Sequence, residues 1–316
     1  MKSVRVGVVG VGYLGKIHAK IYAALPGVEL VGIHDIDTEA CNHIAEQYDC
    51  EAFKSVDSFF GQVDAVSIVV PTSLHLDVTL PFLKNGVHVM LEKPIAPTVA
   101  ESEEIVRFAE DVGCILQIGH LERFNAGVMK LAELSANPRF IEVHRLGKFV
   151  ERATDVDVVT DLMIHDIDIV MSLVPSDLVR VSANGTRVVT DHVDIANARL
   201  EFENGAVANV TASRVSRSQF RRIRVFAEKH YLGLNFADQS LEEVTTEQPA
   251  AGEKFPSLKQ RIVDLTPQQP LDAELAHFAD CVRNRRSPLV SGEDGLRAVE
   301  VATQVRQEIA NSMSKG

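Results

Sequence analysis

Apolar residues come in short, closely spaced runs over the first 120 positions. Val4–Val11, Glu29–Ile33, Asp64–Val70, Val87–Leu91 and Cys114–Ile118 read as strands covered on both faces, because parallel strands under helices lose the alternation of a half-exposed sheet. Helical segments separate them, among them 100–111 and the one that follows "PTSLH" (Pro71–His75), where Thr72 or Ser73 is the N-cap and Pro81 is expected to kink the helix. Past Ile118 the period changes. Helical patterns over 122–135 and 159–173 are interleaved with alternating runs at Phe140–Leu146, 179–188, Ile195–Phe202, 206–213 and 222–227, and "ENG" at 203–205 marks a hairpin. The polar, proline-bearing stretch 239–269 reads as loop with one short strand, and two helices, 272–284 and 295–310, follow.

Two domains follow from this change of pattern. Residues 1–119 form an α/β domain with a doubly wound parallel sheet and right-handed crossovers. Residues 120–290 form an α+β domain built on a large, mostly antiparallel sheet. In parallel sheets of this kind ligands bind beyond the carboxyl ends of the strands, so residues at those ends carry the chemistry.

The first such end is Gly10-Val11-Gly12-Tyr13-Leu14-Gly15, between a β-branched strand and a helix. Strand, GxGxxG and helix in this order make the dinucleotide fingerprint of a Rossmann-type fold: a tight turn, close approach of backbone to pyrophosphate, close packing of helix on strand. Helix N-terminal N–H groups then face the phosphates. The second strand ends at His34-Asp35, 20 residues past Gly15, where a carboxylate can accept from the adenosine ribose and would repel a 2′-phosphate. With no arginine close behind it, NAD is expected over NADP. The alternative for Asp35 is a strand-end aspartate capping a turn.

The fourth of these strands, Val87–Leu91, stops on "EKP", Glu92-Lys93-Pro94. A lysine fixed there can donate to a substrate hydroxyl beside a nicotinamide; alternatively it is a surface lysine paired with Glu92. In "TDLMIHDIDIVMSLV" (160–174) Asp161, His165, Asp168 and Ser172 share one narrow arc of an otherwise apolar helix, while Asp166 falls on the apolar side with no evident partner. Asp161 and His165 are four apart, so a carboxylate can orient an imidazole as general base, or the two form a satisfied core pair. His75 could line a nicotinamide pocket, and His120 is a substrate contact or a structural residue. His18 and His43 are expected at the surface or lightly packed. Five arginines crowd 213–224, read either as a solvated or subunit-contact strand or as a phosphate clamp.

Composition narrows the classes. The 316-residue chain carries a formal charge of −12, which argues against nucleic-acid partners, since these need a basic footprint. Cys41, Cys50, Cys114 and Cys281 are scattered, fitting reduced thiols in the cytoplasm. No apolar window approaches the roughly 18 to 20 residues of a membrane span, and no His/Cys/carboxylate cluster has metal-ligand spacing.

Together the glycine loop, "EKP" and the Asp161-xxx-His165 pair resemble, in order and spacing, the glucose–fructose oxidoreductase/inositol dehydrogenase (Gfo/Idh/MocA) family across nearly the whole chain. The resemblance implies Lys93 and His165 at the reacting carbon, with Asp161 beside the histidine. It further implies cofactor contacts from Gly10, Gly12, Tyr13, Leu14, Gly15, Asp35, Pro71, Thr72, His75, Glu92 and Lys93, and substrate contacts from Lys93, His120, Arg123, Arg152, Asp161 and His165. A cis Lys93–Pro94 peptide, a C-terminal helix near 291–312 that returns to the nucleotide domain, and homodimers or homotetramers built through the open sheet face are implied too. Within the family, "GHLERFNAG", "DVDVVTDLMIHDIDIV" and "ANVTASRVS" look most like enzymes that oxidise the 3-hydroxyl of UDP-N-acetylglucosamine, for whose diphosphate Arg145, Lys148, Arg152 and Arg214 are the candidate cations. Oxidation of a free inositol or aldose, and non-catalytic NAD binding by a regulator, are the alternatives.

Overall fold

The structure, a computed structural model, describes residues 3–150, 156–249, 254–266 and 268–314. It separates into two compact units, one of 1–124 with 269–299 and one of 125–268 with 300–316.

In the first unit six strands, β1 (Val4–Val9), β2 (Val28–His34), β3 (Glu51–Ala52), β4 (Ala65–Ile68), β5 (His88–Leu91) and β6 (Leu116–Ile118), form one sheet in the order β3-β2-β1-β4-β5-β6. Every pairing in it is parallel. All four residues of β4 and of β5 are buried, which is why these strands show no alternation. Helices α1 (Tyr13–Ala24), α2 (Thr38–Gln47), α3 (His75–Lys84) and α4 (Val99–Asp111) supply the crossovers. Asp37 caps α2 through the Ala40 N–H, Thr98 caps α4 through the Glu101 N–H, and α3 runs through Pro81 to Lys84. On α1 the buried positions are Gly15, His18, Ala19 and Tyr22, one helical face. His18 is therefore fully buried, where a surface or lightly packed position was expected. Helix α7 (Pro270–Asn284) adds Leu275, Phe278 and Val282 to the same core.

The second unit holds eight strands: β7 (Phe140–Leu146), β8 (Leu178–Thr186), β9 (Ile195–Phe202), β10 (Val207–Ser213), β11 (Phe220–Ala227), β12 (His230–Asn235), β13 (Ser240–Glu247) and β14 (Ser257–Val263), in the order β14-β13-β12-β11-β7-β10-β9-β8. Only β7 and β10 pair in parallel. Ile141, Val143, Ile223, Val225, Leu232 and Leu234 are buried on one sheet face, against which α5 (Ala126–Leu134) packs so closely that a Cβ on Gly127 would lie 2.4 Å from a Leu234 methyl. Residues of the opposite face, such as Glu142, Arg222 and Arg224, are half-exposed and pair with one another or with Glu242.

The stretch 239–269, expected to be mostly loop, contributes two full strands. Its inward positions on β13 include a carboxylate, Glu243, which is buried but paired with His230 on β12 and Arg261 on β14. β14 is an edge strand exposed at all positions but Val263, so nothing required an apolar pattern. The last helix, α8 (Gly292–Met313), starts in the first unit, where a Cβ on Gly295 would lie 2.7 Å from Ile118, and from Glu300 belongs to the second. Among the described residues no helix is long and apolar enough to cross a membrane, all four cysteines are free, and no three His, Cys, Asp or Glu side chains could share a metal ion.

Candidate active site

The carboxyl edge of the parallel sheet begins with the turn after β1. Gly10 has φ +88°, and a Cβ on Gly15 would lie 1.8 Å from the Gly10 carbonyl, so α1 can sit on this turn only without one. A Cβ on Gly12 would meet nothing within 4 Å. Gly12 is the N-cap of α1 and no side chain caps it, leaving first-turn N–H groups beside open space. This cradle fits a dinucleotide pyrophosphate. Asp35, at the end of β2, accepts from the Val11 N–H at 2.6 Å through one oxygen and from the Asp37 N–H at 2.9 Å through the other, fixing its carboxylate against the glycine turn. Tyr13 and Ile36, 85% and 96% exposed, flank the cradle as apolar surface with nothing covering them; Leu14 is half-buried.

Further along the edge, β5 gives way to Glu92, Lys93 and Pro94, and the Lys93–Pro94 peptide is cis. Lys93 is half-buried. Glu92 is clasped from two sides: its carboxylate lies 3.4 Å from the buried His18 imidazole, and a Cβ on Gly119 would sit 2.9 Å from it. Its other oxygen accepts from the Lys93 N–H at 3.3 Å. Both members of the charged pair on which the strand stops are half-buried, with Glu92 turned to His18 and Gly119. No motif singled out His18; the spacing 15, 18, 19, 22 was the signal that could have.

His75 is fully buried, with Nδ1 3.0 Å from the Pro94 carbonyl and Nε2 3.0 Å from the Val70 carbonyl. Burial lowers its pKa, and a neutral ring donates on one side only. The ring lies between the turn after β4 and the cis-proline turn and donates to a carbonyl of one of them, and Pro71 and Thr72 lie exposed and half-buried beside it. His120, past β6, is 1% exposed, and its pKa is pushed down to about 3 by burial first and then by the charges of Lys93 and Arg123. It is a neutral imidazole close to the lysine. Arg123 donates to the Leu289 carbonyl at 3.2 Å.

In the second unit Asp161 lies in a π-turn (Val159–Met163) that continues as α6 (Ile164–Leu173), which carries His165. Both side chains are half-buried, whereas Asp166 and Asp168 are buried. The aspartate that fitted no face is explained: Arg145 on β7 grips Asp166 through Nε and Nη2, both at 2.7 Å. Arg145, expected to serve a diphosphate, is spent on that pair. Arg214 is likewise engaged, with Nε 2.9 Å from the buried Asp194. Arg221 stacks on Phe236 at 3.8 Å, and Arg222 and Arg224 pair with Glu242 and Glu142. Four of the five arginines in this stretch are thus engaged by groups of their own unit, while Arg217 is exposed. Lys148 is exposed, and Arg152 lies outside the described residues.

A family model described as an oxidoreductase family with an NAD-binding Rossmann fold (GFO/IDH/MocA) matches residues 4–120, and the model of the GFO/IDH/MocA C-terminal domain matches 130–232. UDP-N-acetylglucosamine 3-dehydrogenase of Acidithiobacillus ferrooxidans is 36% identical over 97% of both chains, and its solved structure superposes with a TM-score of 0.90 over 98% of each. The scyllo-inositol 2-dehydrogenase (NAD(+)) of Bacillus subtilis is 29% identical over 98% of this chain and 95% of its own. The scyllo-inositol dehydrogenase of Lactobacillus casei, solved with NAD(H) and scyllo-inositol, shares the fold at 21% identity, with a TM-score of 0.81 over 98% of each chain. With the glycine cradle, "EKP" and the Asp–His helix in place, the chain belongs to the Gfo/Idh/MocA family and is a nicotinamide-dependent dehydrogenase acting on CH–OH groups.

Proposed function

We propose that this protein uses NAD to oxidise the 3-hydroxyl of UDP-N-acetylglucosamine or a closely related nucleotide sugar. What carries the reading is the 36% identity, over 97% of both chains, to an enzyme of that name. Bound nicotinamide supplies the hydride acceptor. His165 removes the hydroxyl proton as hydride leaves the same carbon, and Asp161 holds the imidazole and stabilises its charged form. Lys93 donates to the reacting oxygen and lowers the cost of developing alkoxide. His120 and Arg123 orient the sugar. The Gly10–Gly15 cradle takes the pyrophosphate with Tyr13 and Leu14 beside it, and Asp35 takes the ribose, its carboxylate favouring NAD over NADP. Pro71, Thr72, His75 and Glu92 shape the nicotinamide end, His75 and Glu92 by fixing the turns.

Residues 1–119 then serve the cofactor, and 120–290 the substrate and the assembly of a homodimer or homotetramer through the face of Glu142, Arg222 and Arg224. Light scattering that finds a monomer removes the assembly. Four free thiols suit the reducing cytoplasm. The similarity to inositol dehydrogenases supports the second reading, oxidation of a free polyol. A purely regulatory NAD-binding role leaves Lys93 and His165 without purpose.

The test is NADH or NADPH formation with UDP-sugars, free aldoses and inositols, each offered both cofactors. We expect NADH with UDP-N-acetylglucosamine. Turnover of inositols alone selects the second reading, and a preference for NADP removes the role given to Asp35.

A further inference from the structure

Within the second unit a cavity of about 320 Å³ opens at the head of the helix that carries His165. Val159, Val193, Ile309, Ala310 and Met313 give the apolar part of its lining, and Arg187, His192 and Arg306 the basic part. We propose that this cavity receives the nucleoside diphosphate end of the substrate, with the base on the apolar lining and phosphate oxygens at Arg187 and Arg306; this rests on the nucleotide-sugar reading.

Three observations point there independently. The first is the basic part of the lining. The lining also contains Asp157 and Asp191, but Asp157 is occupied: Oδ1 accepts from the Val159 and Thr160 N–H groups, both at 2.9 Å, and Oδ2 lies 3.0 Å from the Arg306 Nε. That carboxylate caps the helix and orients Arg306 while engaging one of its nitrogens. Among the described residues Arg187 has no carboxylate in ion-pair reach. In a chain of net charge −12, an arginine that lines a cavity and stands outside ion-pair reach of any described carboxylate, the exposed Asp191 of the same lining included, is suited to an anion.

The second is the loop that presents Arg187 and His192, which is built rigidly. The buried Asp194 accepts three successive backbone N–H groups, from Val188, Val189 and Thr190, at 2.7–2.9 Å through one oxygen. Its other oxygen takes the Thr190 hydroxyl at 2.8 Å and the Arg214 Nε at 2.9 Å. Plain strand connections need no such anchor, whereas binding loops gain from being held in shape before the ligand arrives. This is also where Arg214 acts: behind the loop, not at a phosphate.

The third is position. Asp157 precedes Asp161 by four residues and His165 by eight. The cavity lining, through Asp157 and Val159, and the histidine are thus carried on one continuous stretch of chain, and the proposal sets the attached sugar between them. The π-turn at Val159–Met163 lies on this stretch, the kind of helix irregularity that is frequent at functional sites.

The experiment compares the full-length protein with Arg187→Ala and with Met313→Glu, both at exposed positions, by titration with UDP and by initial rates with UDP-N-acetylglucosamine and NAD. We expect each variant to bind UDP about tenfold or more weakly and to raise KM for the UDP-sugar by a similar factor, with NAD affinity unchanged. Arg187→Lys should recover part of the loss. Equal UDP affinity and KM in wild type and Arg187→Ala overturn the assignment of this cavity while leaving a nucleotide-sugar dehydrogenase. If wild type neither binds UDP nor oxidises any UDP-sugar, the cavity assignment falls together with the substrate class.

Discussion

A single imidazole bears the most specific chemical claim. His165 is half-buried on a helix whose neighbouring positions, Ile164, Asp166, Ile167 and Asp168, are buried. Truncating it to alanine removes the proposed proton acceptor without disturbing the glycine cradle, which belongs to the other unit. Turnover of His165→Ala should fall by about 100-fold or more while NAD affinity, read by fluorescence titration, stays within about twofold. Loss of both together would mean damaged folding and no information about the base. The sequence made this residue visible because Asp161 and His165 are close in the chain. His18 and Glu92 were harder: their contact joins residues 74 positions apart, and burial of a histidine shows only in the apolar company it keeps at helical spacing.

At the scale of elements, what the pattern missed has a common cause: polar residues buried with partners from remote segments. Asp166 had no reading until β7 brought Arg145 to it across 21 residues of chain. Glu243 hid β13 in the same way, through His230 and Arg261. The parallel strands were legible because they are apolar throughout, and "ENG" gave the β9–β10 turn because its chemistry is local. The Arg145–Asp166 pair also fixes α6 to the sheet, with Asp166 fully buried. Arg145→Ala strands that carboxylate, and urea unfolding should show a loss of about 3 kcal/mol or more. The double variant Arg145→Met, Asp166→Leu should recover most of it, since the cost lies in the uncompensated charge and not in the absent pair. A double variant as unstable as the single one would rule that account out.

For the molecule as a whole, the two folds were legible and the burial of its histidines was not, and that burial sets how stability responds to acid. Burial, with Arg285 adding to it, pushes the His88 pKa down to about 4, and His120 lies at about 3. His75 and His277 shift the same way, burial being the largest cause in each. In the unfolded chain these rings titrate near pH 6.5. Above that pH both states hold them neutral and stability is unaffected. As pH falls below it the unfolded chain takes up protons that the folded one refuses, so stability drops, by up to about 1.4 kcal/mol per pH unit for each ring, until the folded-state values are reached. Asp194 and Glu243 have depressed carboxyl pKa values, so their stabilisation is lost only below the ordinary carboxylate range. Between about pH 6.5 and 5 the histidines therefore act nearly alone. Urea unfolding at pH 7.5, 6 and 5 should show stability falling steadily across that window, and His88→Asn should flatten the slope by about one proton's worth once its own offset at pH 7.5 is subtracted. A profile flat from 7.5 to 5 would mean that these rings are solvated in the folded protein, and with it the dry environment assigned to His120 beside Lys93 would be wrong.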